Sequence, residues 1–115
     1  MTYTVLHNPS CSTSRKGLAA LDEKGVTYEV RKYMNQSEAL TIAELQDIAR
    51  KMGVDSPRAF LREKDANKFE LPDTASDEDV YAAMADNPRL IQRPIGINGD
   101  KAVLGRPPEN LLDIV

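Results

Sequence analysis

The order of secondary-structure elements at the start of the chain restricts its fold more than any other feature of the sequence. Residues 2–6 (TYTVL) are rich in β-branched and aromatic side chains, which is typical of a strand. Residues 17–24 place leucines on one helical face, and Gly25 follows where a helix C-terminus favours glycine. Residues 26–33 alternate apolar and polar side chains and predict a second strand. Together they predict a βαβ unit with parallel strands and a right-handed crossover.

The middle of the chain is predicted to be mainly helical. Residues 41–44 (TIAE) form a capping-box pattern, and apolar side chains then recur at helical spacing. Residues 57–61 predict a short further helix, and residues 67–75 are predicted to form a loop. Another helix is expected to begin at residues 76–79 and to end near residue 87, before a proline.

The last part of the chain predicts a hairpin followed by a helix. Apolar residues 95–97 and 102–104 flank Asn98-Gly99, the strongest short signal for a β-hairpin. Pro107-Pro108 then opens a final helix, since proline is tolerated in a first helical turn. Because neither a repeat nor a linker interrupts this order, residues 1–115 are predicted to form one domain.

Composition and charge exclude several classes of protein. The net charge of −3 argues against a general nucleic-acid binder or a protein that binds anionic membranes. We read neither a signal peptide nor a membrane span in the sequence. The single cysteine allows neither an internal disulfide nor a multi-cysteine zinc site, so that no bound metal is expected. A lone thiol suits a reducing compartment, and a cytoplasmic location is expected.

Cys11 lies between the first predicted strand and the first predicted helix. A helix N-terminus carries partial positive charge and unpaired N–H groups, which stabilise a thiolate over a thiol. Ser14 and its neighbouring hydroxyl residues add donors, and Arg15 adds positive charge. A lone cysteine is more often a small buried apolar residue, but the polar loop favours a reactive one. His7, the only histidine, is as a lone residue more often structural, although it could orient the loop or tune the thiolate.

Two familiar cysteine motifs are absent from this segment. Ser14 occupies the second cysteine position of a Cys-x-x-Cys dithiol, and Gly17 occupies the arginine position of a cysteine-phosphatase loop. Neither an internal dithiol exchange nor that phosphate cradle is therefore available. A redox cycle at Cys11 needs a second thiol from another molecule.

Four segments together resemble the glutathione- and glutaredoxin-dependent arsenate reductases. The resemblance extends from the first strand to the last helix and rests on HNPSCSTSRKGLAAL at residues 7–21, FLR at 60–62, IQRPI at 91–95 and LGRPPENLLDI at 104–114. It implies an α/β fold: a thioredoxin-like, four-stranded mixed sheet flanked by helices. It also implies a helical insertion, about residues 41–87, before the C-terminal hairpin, and a cis peptide bond before Pro94.

The same resemblance implies the residues of an active site. Cys11 carries over as the catalytic nucleophile, and His7 and Ser14 as residues that support its thiolate. Three arginines, Arg62, Arg93 and Arg106, carry over as the groups that bind an oxyanion. Guanidinium groups bind tetrahedral oxyanions through paired, charge-assisted hydrogen bonds, so that these residue types suit arsenate.

The arginines are ambiguous without the resemblance. Arg62 alone would be assigned as a surface or helix-end charge, and Arg93 and Arg106, each before a proline, as equally often structural or cleft-facing. Arg58 and Arg89 are interpreted as solvated charges.

Three functions remain open at this point. The first is an arsenate reductase that binds no resident cofactor, takes glutathione as co-substrate and has glutaredoxin as partner. The second is a general glutathione-dependent thiol oxidoreductase with another substrate. The third is a non-enzymatic protein like the family's transcription regulators, which dock on RNA polymerase and typically carry a Cys-x-x-Cys switch that Ser14 breaks here.

Overall fold

A computed structural model describes residues 3–115, so that Thr2, predicted to begin the first strand, lies outside the described residues. The sheet has four strands in the order β2-β1-β3-β4. Strand β1 pairs in parallel with β2 and antiparallel with β3, and β3 pairs antiparallel with β4. The predicted mixed sheet is thus confirmed, with strands β1 (Tyr3–Leu6), β2 (Tyr28–Arg31), β3 (Ile95–Asn98) and β4 (Lys101–Leu104).

Helix α1 (Ser12–Glu23) connects the two parallel strands. It begins directly after Cys11, more than one turn before the predicted start at Gly17. The polar residues 12–15, which were predicted to be a loop, form its first turn. Gly25 follows the helix with a φ of 70°, a left-handed conformation that glycine adopts without a steric penalty. Residues 7–11 form the loop between β1 and α1, and Cys11 is its last residue.

The insertion between β2 and β3 is helical, as predicted. It contains α2 (Ile42–Met52), α3 (Glu63–Lys68) and α4 (Asp77–Asp86), with 3₁₀ turns at Pro57–Phe60 and Pro88–Leu90. The capping box of α2 is confirmed, since Thr41 accepts a hydrogen bond from the Glu44 N–H and Glu44 accepts one from the Thr41 N–H. The loop predicted over residues 67–75 begins too early, because α3 extends to Lys68.

The helix predicted after β4 is present as a 3₁₀ helix, Pro108–Ile114. Two of its carbonyl groups accept hydrogen bonds from side chains of the sheet strands. The Tyr3 hydroxyl donates to the Leu111 carbonyl at 2.5 Å, and the Asn98 amide donates to the Ile114 carbonyl at 2.7 Å. These contacts fasten the end of the chain to β1 and β3.

Two apolar clusters lie on the two faces of the sheet. Tyr3 and Val5 point to a small cluster with Leu21 of α1 and Leu111, whereas Leu6 joins a larger cluster with the insertion. Alternation along β1 divides these residues, because successive side chains of a strand face opposite sides. Covered on both faces, the sheet holds the C-terminal end of β1 in a fixed place. Within residues 3–115, no helix is long and apolar enough to cross a membrane.

Candidate active site

The loop from β1 to α1 is held by hydrogen bonds around Asn8. The Asn8 carbonyl accepts from the Cys11 N–H at 3.0 Å, and its side-chain oxygen accepts from the Ser10 N–H at 3.1 Å. The Asn8 N–H lies 3.4 Å from the hydroxyl of Ser14, which is fully buried in the first turn of α1. Cys11 is the N-cap residue of the helix. Its side chain is therefore presented at a helix N-terminus by a loop with few degrees of freedom.

The environment of Cys11 favours its thiolate. Burial of the sulfur on its own raises the pKa of Cys11. Hydrogen bonds from the Ser14 N–H, the Arg93 guanidinium and the Thr13 N–H outweigh that effect, and the positive charge of Arg93 adds to them. The pKa of Cys11 is lowered to about 7, so that a large fraction is ionised at neutral pH.

Arg93 is the buried cation of the site. Only 6% of it is exposed, and its Nη1 donates to the carbonyls of Arg89 and Ile91 at 3.2 and 3.4 Å. Its buried Nε has no hydrogen-bond partner among residues 3–115. The Arg93–Pro94 peptide bond is cis. A buried guanidinium with an unused N–H group suits an incoming anionic oxygen.

Arg106 approaches the sulfur from the turn after β4. Its Nε donates to the Arg93 carbonyl at 3.0 Å, and its Nη2 lies 4.0 Å from the Cys11 Sγ. That distance is the outer limit of an N–H···S contact, and the Arg106 side chain is exposed. We therefore attribute the lowered pKa of Cys11 to Arg93 and the helix N–H groups. The structure brings Arg93 and Arg106 together at the thiol.

Arg62 stands further along the same cleft. Its Nε lies 3.3 Å from Oδ2 of Asp65, a carboxylate that is only 3% exposed. The Arg62 N–H donates to the Leu90 carbonyl at 2.7 Å, which ties the start of α3 to the segment before Arg93. The Arg62 Nε and the Asp65 Oδ2 form a close ion pair, but their geometry does not make a hydrogen bond. Asp65 thus balances the charge of Arg62.

Besides Ser14, two residues were predicted to support the thiolate, His7 and Arg15, and their surroundings differ. His7 is 5% exposed, its Nδ1 has no partner among the described residues, and burial, then Lys32 and Arg15, lower its pKa. A neutral imidazole follows at neutral pH. Arg15 is exposed and donates to the Pro9 carbonyl at 2.8 Å, so that it fastens the loop rather than facing the sulfur.

A cleft of about 630 Å³ opens beside Cys11. Cys11 itself is not among the lining residues. Two of its neighbours are: Ser10, which precedes it in the chain, and Arg93, whose guanidinium donates a hydrogen bond to its sulfur. Four cations and two asparagines face the cleft. The lining residues are Asn8, Pro9, Ser10, Lys32, Met34, Asn35, Arg62, Arg89 and Arg93.

Sequence reasoning missed part of this lining. Lys32 follows β2 directly, and the C-terminal ends of neighbouring parallel strands share one edge of a sheet, which is the signal that could have placed it near Cys11. Arg89 was predicted to be solvated; it is exposed, yet it also lines the cleft. Arg58 was wrongly assigned as solvated. It is half-buried and donates to the carbonyls of Pro72 and Ala75.

Within residues 3–115 no cluster of three or more histidine, cysteine, aspartate or glutamate residues could hold a metal ion. The described side chains place one thiolate beside guanidinium groups.

The fold and this site define a class: a thioredoxin-like protein with a single low-pKa cysteine at the start of its first helix. The chain belongs to the ArsC family, whose family model matches residues 6–114.

Relatives and solved structures agree with that assignment over the whole chain. An arsenate reductase of Haemophilus influenzae is 40% identical over 118 aligned residues that cover all of both chains. The uncharacterized protein YfgD of Escherichia coli is also 40% identical, over 96% of this chain and 94% of that one. The structure of an arsenate reductase from Vibrio cholerae is 37% identical, superposes with a TM-score of 0.90 and covers 100% of this chain and 98% of that chain.

Proposed function

We propose that this protein is an arsenate reductase that acts through the Cys11 thiolate and takes its electrons from glutathione and glutaredoxin. The observation that carries the proposal is a thiolate with a pKa of about 7 beside a buried guanidinium with an unused N–H group. Relatives named arsenate reductase, at about 40% identity over nearly the whole chain, support the choice of substrate.

The first step forms a sulfur–arsenic bond. The Cys11 thiolate attacks the arsenic of a bound arsenate, and a hydroxide leaves and is protonated to water. Arsenic stays in the As(V) state, now joined to Cys11. Without nearby cations this attack would bring one anion onto another. Arg93 and Arg106 lower that repulsion because both guanidinium groups lie close to the sulfur.

The second step moves the electrons. The thiolate of glutathione attacks the Cys11 sulfur, and the sulfur–arsenic bonding pair stays on arsenic, which becomes As(III). Cys11 is left in a mixed disulfide with glutathione. A glutaredoxin thiolate then attacks the glutathione sulfur and releases Cys11 as a thiolate, ready for another turnover.

The need for outside thiols follows from the chain itself. Cys11 is the only cysteine, so that no internal thiol can displace the arsenic or resolve a disulfide. A cytoplasmic location, where glutathione is kept reduced, belongs to the same proposal.

The proposal is tested by arsenate-dependent oxidation of NADPH in the presence of glutathione, glutaredoxin and glutathione reductase. We expect turnover by the wild type and none by Cys11→Ser. Lys24→Gln, a change at an exposed lysine outside the cleft, is the matched control and is expected to keep full activity. Folded protein with a reactive Cys11 but no arsenate-dependent turnover would contradict the proposal.

A general glutathione-dependent thiol oxidoreductase is the second candidate, because the cleft is much larger than an arsenate ion needs. Arg93→Gln separates the two. Arsenate reduction depends on the guanidinium both for binding and for the thiolate. Exchange with a neutral disulfide depends on the guanidinium only for the thiolate. The rate of that exchange should therefore fall less in Arg93→Gln at alkaline pH, where Cys11 is ionised without Arg93.

A further inference from the structure

The cleft beside Cys11 has room for more than an oxyanion. Its volume is about 630 Å³, within the range of about 300–1,000 Å³ that is usual for sites of drug-sized ligands. Arsenate is one arsenic atom with its oxygens and can occupy only a small part of that space. The part next to the thiol, where Arg93 reaches the sulfur, suits the oxyanion. The remainder of the cleft is left to a second ligand.

The lining indicates an anionic second ligand. Lys32, Arg62, Arg89 and Arg93 face the cleft, and there is no carboxylate among its lining residues. Arg62 is balanced by Asp65, whereas Lys32 and Arg89 make no ion pair with any described residue. Arg93 makes no such ion pair either, so that three cations without a carboxylate partner line one cleft of a protein whose net charge is −3, a local departure from the charge of the whole chain.

The chemistry of Cys11 defines what the second ligand must bring. With one cysteine in the chain, the thiol that completes the cycle has to come from outside and has to reach the Cys11 sulfur. The cleft is lined by Ser10, the residue before Cys11, and by Arg93, whose guanidinium donates a hydrogen bond to the Cys11 sulfur, so that the cleft lies next to that sulfur.

We infer that this cleft binds glutathione, a small peptide thiol with two carboxylates, and that Lys32 and Arg89 bind those carboxylates while Asn8 and Asn35 offer amide partners. The inference rests on the external thiol of the proposed function and adds the site. It assigns Lys32 and Arg89 to thiol binding rather than to arsenate binding.

The site can be tested by a reaction that contains no arsenate. The Cys11 thiolate attacks one sulfur of oxidised glutathione, a new disulfide forms between Cys11 and one glutathione, and the other glutathione leaves as a thiolate. Bonds and electrons balance without a further oxidant. The rate is followed by the mass of the modified protein, from the wild type and from Lys32→Gln, Arg89→Gln and the double variant.

Charge is isolated by comparing three disulfides. For oxidised glutathione, which is anionic, we expect each variant to lower the second-order rate constant about three- to tenfold, and the double variant more. For the neutral 2-hydroxyethyl disulfide we expect less than a twofold change. For the cationic cystamine we expect an unchanged or higher rate. Because Lys32 and Arg89 are exposed, the variants should fold, and Lys24→Gln is the matched control.

The outcomes separate this inference from the proposed function. Equal losses with all three disulfides would overturn it, since Lys32 and Arg89 would then act only on the reactivity of Cys11. Unchanged rates with all three disulfides would also overturn it, because Lys32 and Arg89 would then bind no part of glutathione. If arsenate turnover fails in every assay while the charge-selective exchange persists, the glutathione site stands and the arsenate proposal falls.

Discussion

At the scale of single residues, Arg93 lowers the pKa of Cys11 together with the Ser14 N–H, whose effect is the larger hydrogen-bond contribution. Arg93 supplies both a hydrogen bond and a positive charge to the thiolate, whose pKa of about 7 lies below the ordinary 9.0. We predict that alkylation by iodoacetamide has a pH midpoint near 7 in the wild type. Arg93→Gln should raise that midpoint by about one to two units, because it removes a hydrogen bond and a positive charge from the thiolate. The rise is limited because the N–H groups of Ser14 and Thr13 remain. The control is Arg50→Gln, an exposed change on α2, and an unmoved midpoint in Arg93→Gln would refute the assignment.

The same shift makes stability depend on pH in one direction. A group whose pKa is lower in the folded state adds stability that is fully present above its unfolded pKa and is lost as pH falls through its folded pKa. For Cys11 the loss runs from about pH 9 down through pH 7. We predict that the free energy of unfolding of the wild type, minus that of Cys11→Ser, increases from about pH 6 to pH 9 in urea titrations. A difference that is flat over this range would contradict it.

Asp65 positions Arg62 from a buried site. The carboxylate is 3% exposed and 3.3 Å from the Arg62 Nε. Arg62→Gln leaves that carboxylate without a cation, and we predict a loss of about 1–3 kcal/mol in the free energy of unfolding. Arg62→Gln combined with Asp65→Asn should recover most of it. Urea titrations of the double-mutant cycle measure the coupling, with Glu63→Gln on the exposed face of α3 as control; strictly additive losses would contradict the pairing.

Sequence reasoning reached the residues of the thiol loop more readily than those of the cleft. Cys11 could be placed because a strand and a helix predicted around it define its position. Lys32 could not, because a lysine at the end of an alternating strand has the pattern of any solvated charge. What makes Lys32 different is the neighbourhood of Arg62 and Arg89, which the fold creates over long separations in sequence.

At the scale of elements, α1 packs closely on the site through Gly17. A Cβ at this position would lie 2.7 Å from a Leu111 methyl carbon and 2.9 Å from the Pro94 Cγ. Helix propensity alone favours Gly17→Ala by about 1 kcal/mol. We predict instead a net loss of about 1–3 kcal/mol, because overpacking must move Leu111 or Pro94. Urea denaturation measures it, with the exposed Lys16→Ala expected within about 0.5 kcal/mol of the wild type. A stabilised Gly17→Ala protein would show that the contact yields.

Elements with a strong local signal were predicted correctly, and those decided by tertiary contacts were not. The capping box of α2 and the hairpin signalled by Asn98-Gly99 are local patterns, and both are confirmed, although Asn98 belongs to β3 and the two-residue turn is Gly99-Asp100. Helix α3 is short and mostly charged, so that it has no apolar periodicity to detect. The C-terminal segment is a 3₁₀ helix whose Leu111 and Ile114 carbonyls bind side chains of β1 and β3, contacts that no local pattern contains.

At the scale of the whole molecule, one sheet joins two unequal cores. The larger core includes the insertion, and the smaller one lies under α1 and the C-terminal segment. The mixed sheet follows from a βαβ unit followed by a hairpin, whereas the strand order β2-β1-β3-β4 was not predicted. The division of β1 between the cores determines how the molecule should unfold. Since Leu6 serves one core and Val5 the other, neither core can lose its packing without disturbing β1.

The smaller core is expected to decide the stability of the whole chain through Leu111. This residue is fully buried, and its side chain fills the space where a Cβ would lie at Gly17, Gly96 or Gly105. We predict that Leu111→Ala lowers the free energy of unfolding by about 2–5 kcal/mol, because it leaves a cavity between α1 and the sheet. Val115→Ala, at a position that is 63% exposed, should have little effect. Urea unfolding of Leu111→Ala, followed by circular dichroism and by the reactivity of Cys11, should give one shared transition. A Cys11 transition well before the loss of helix would instead show that the insertion folds independently of the smaller core.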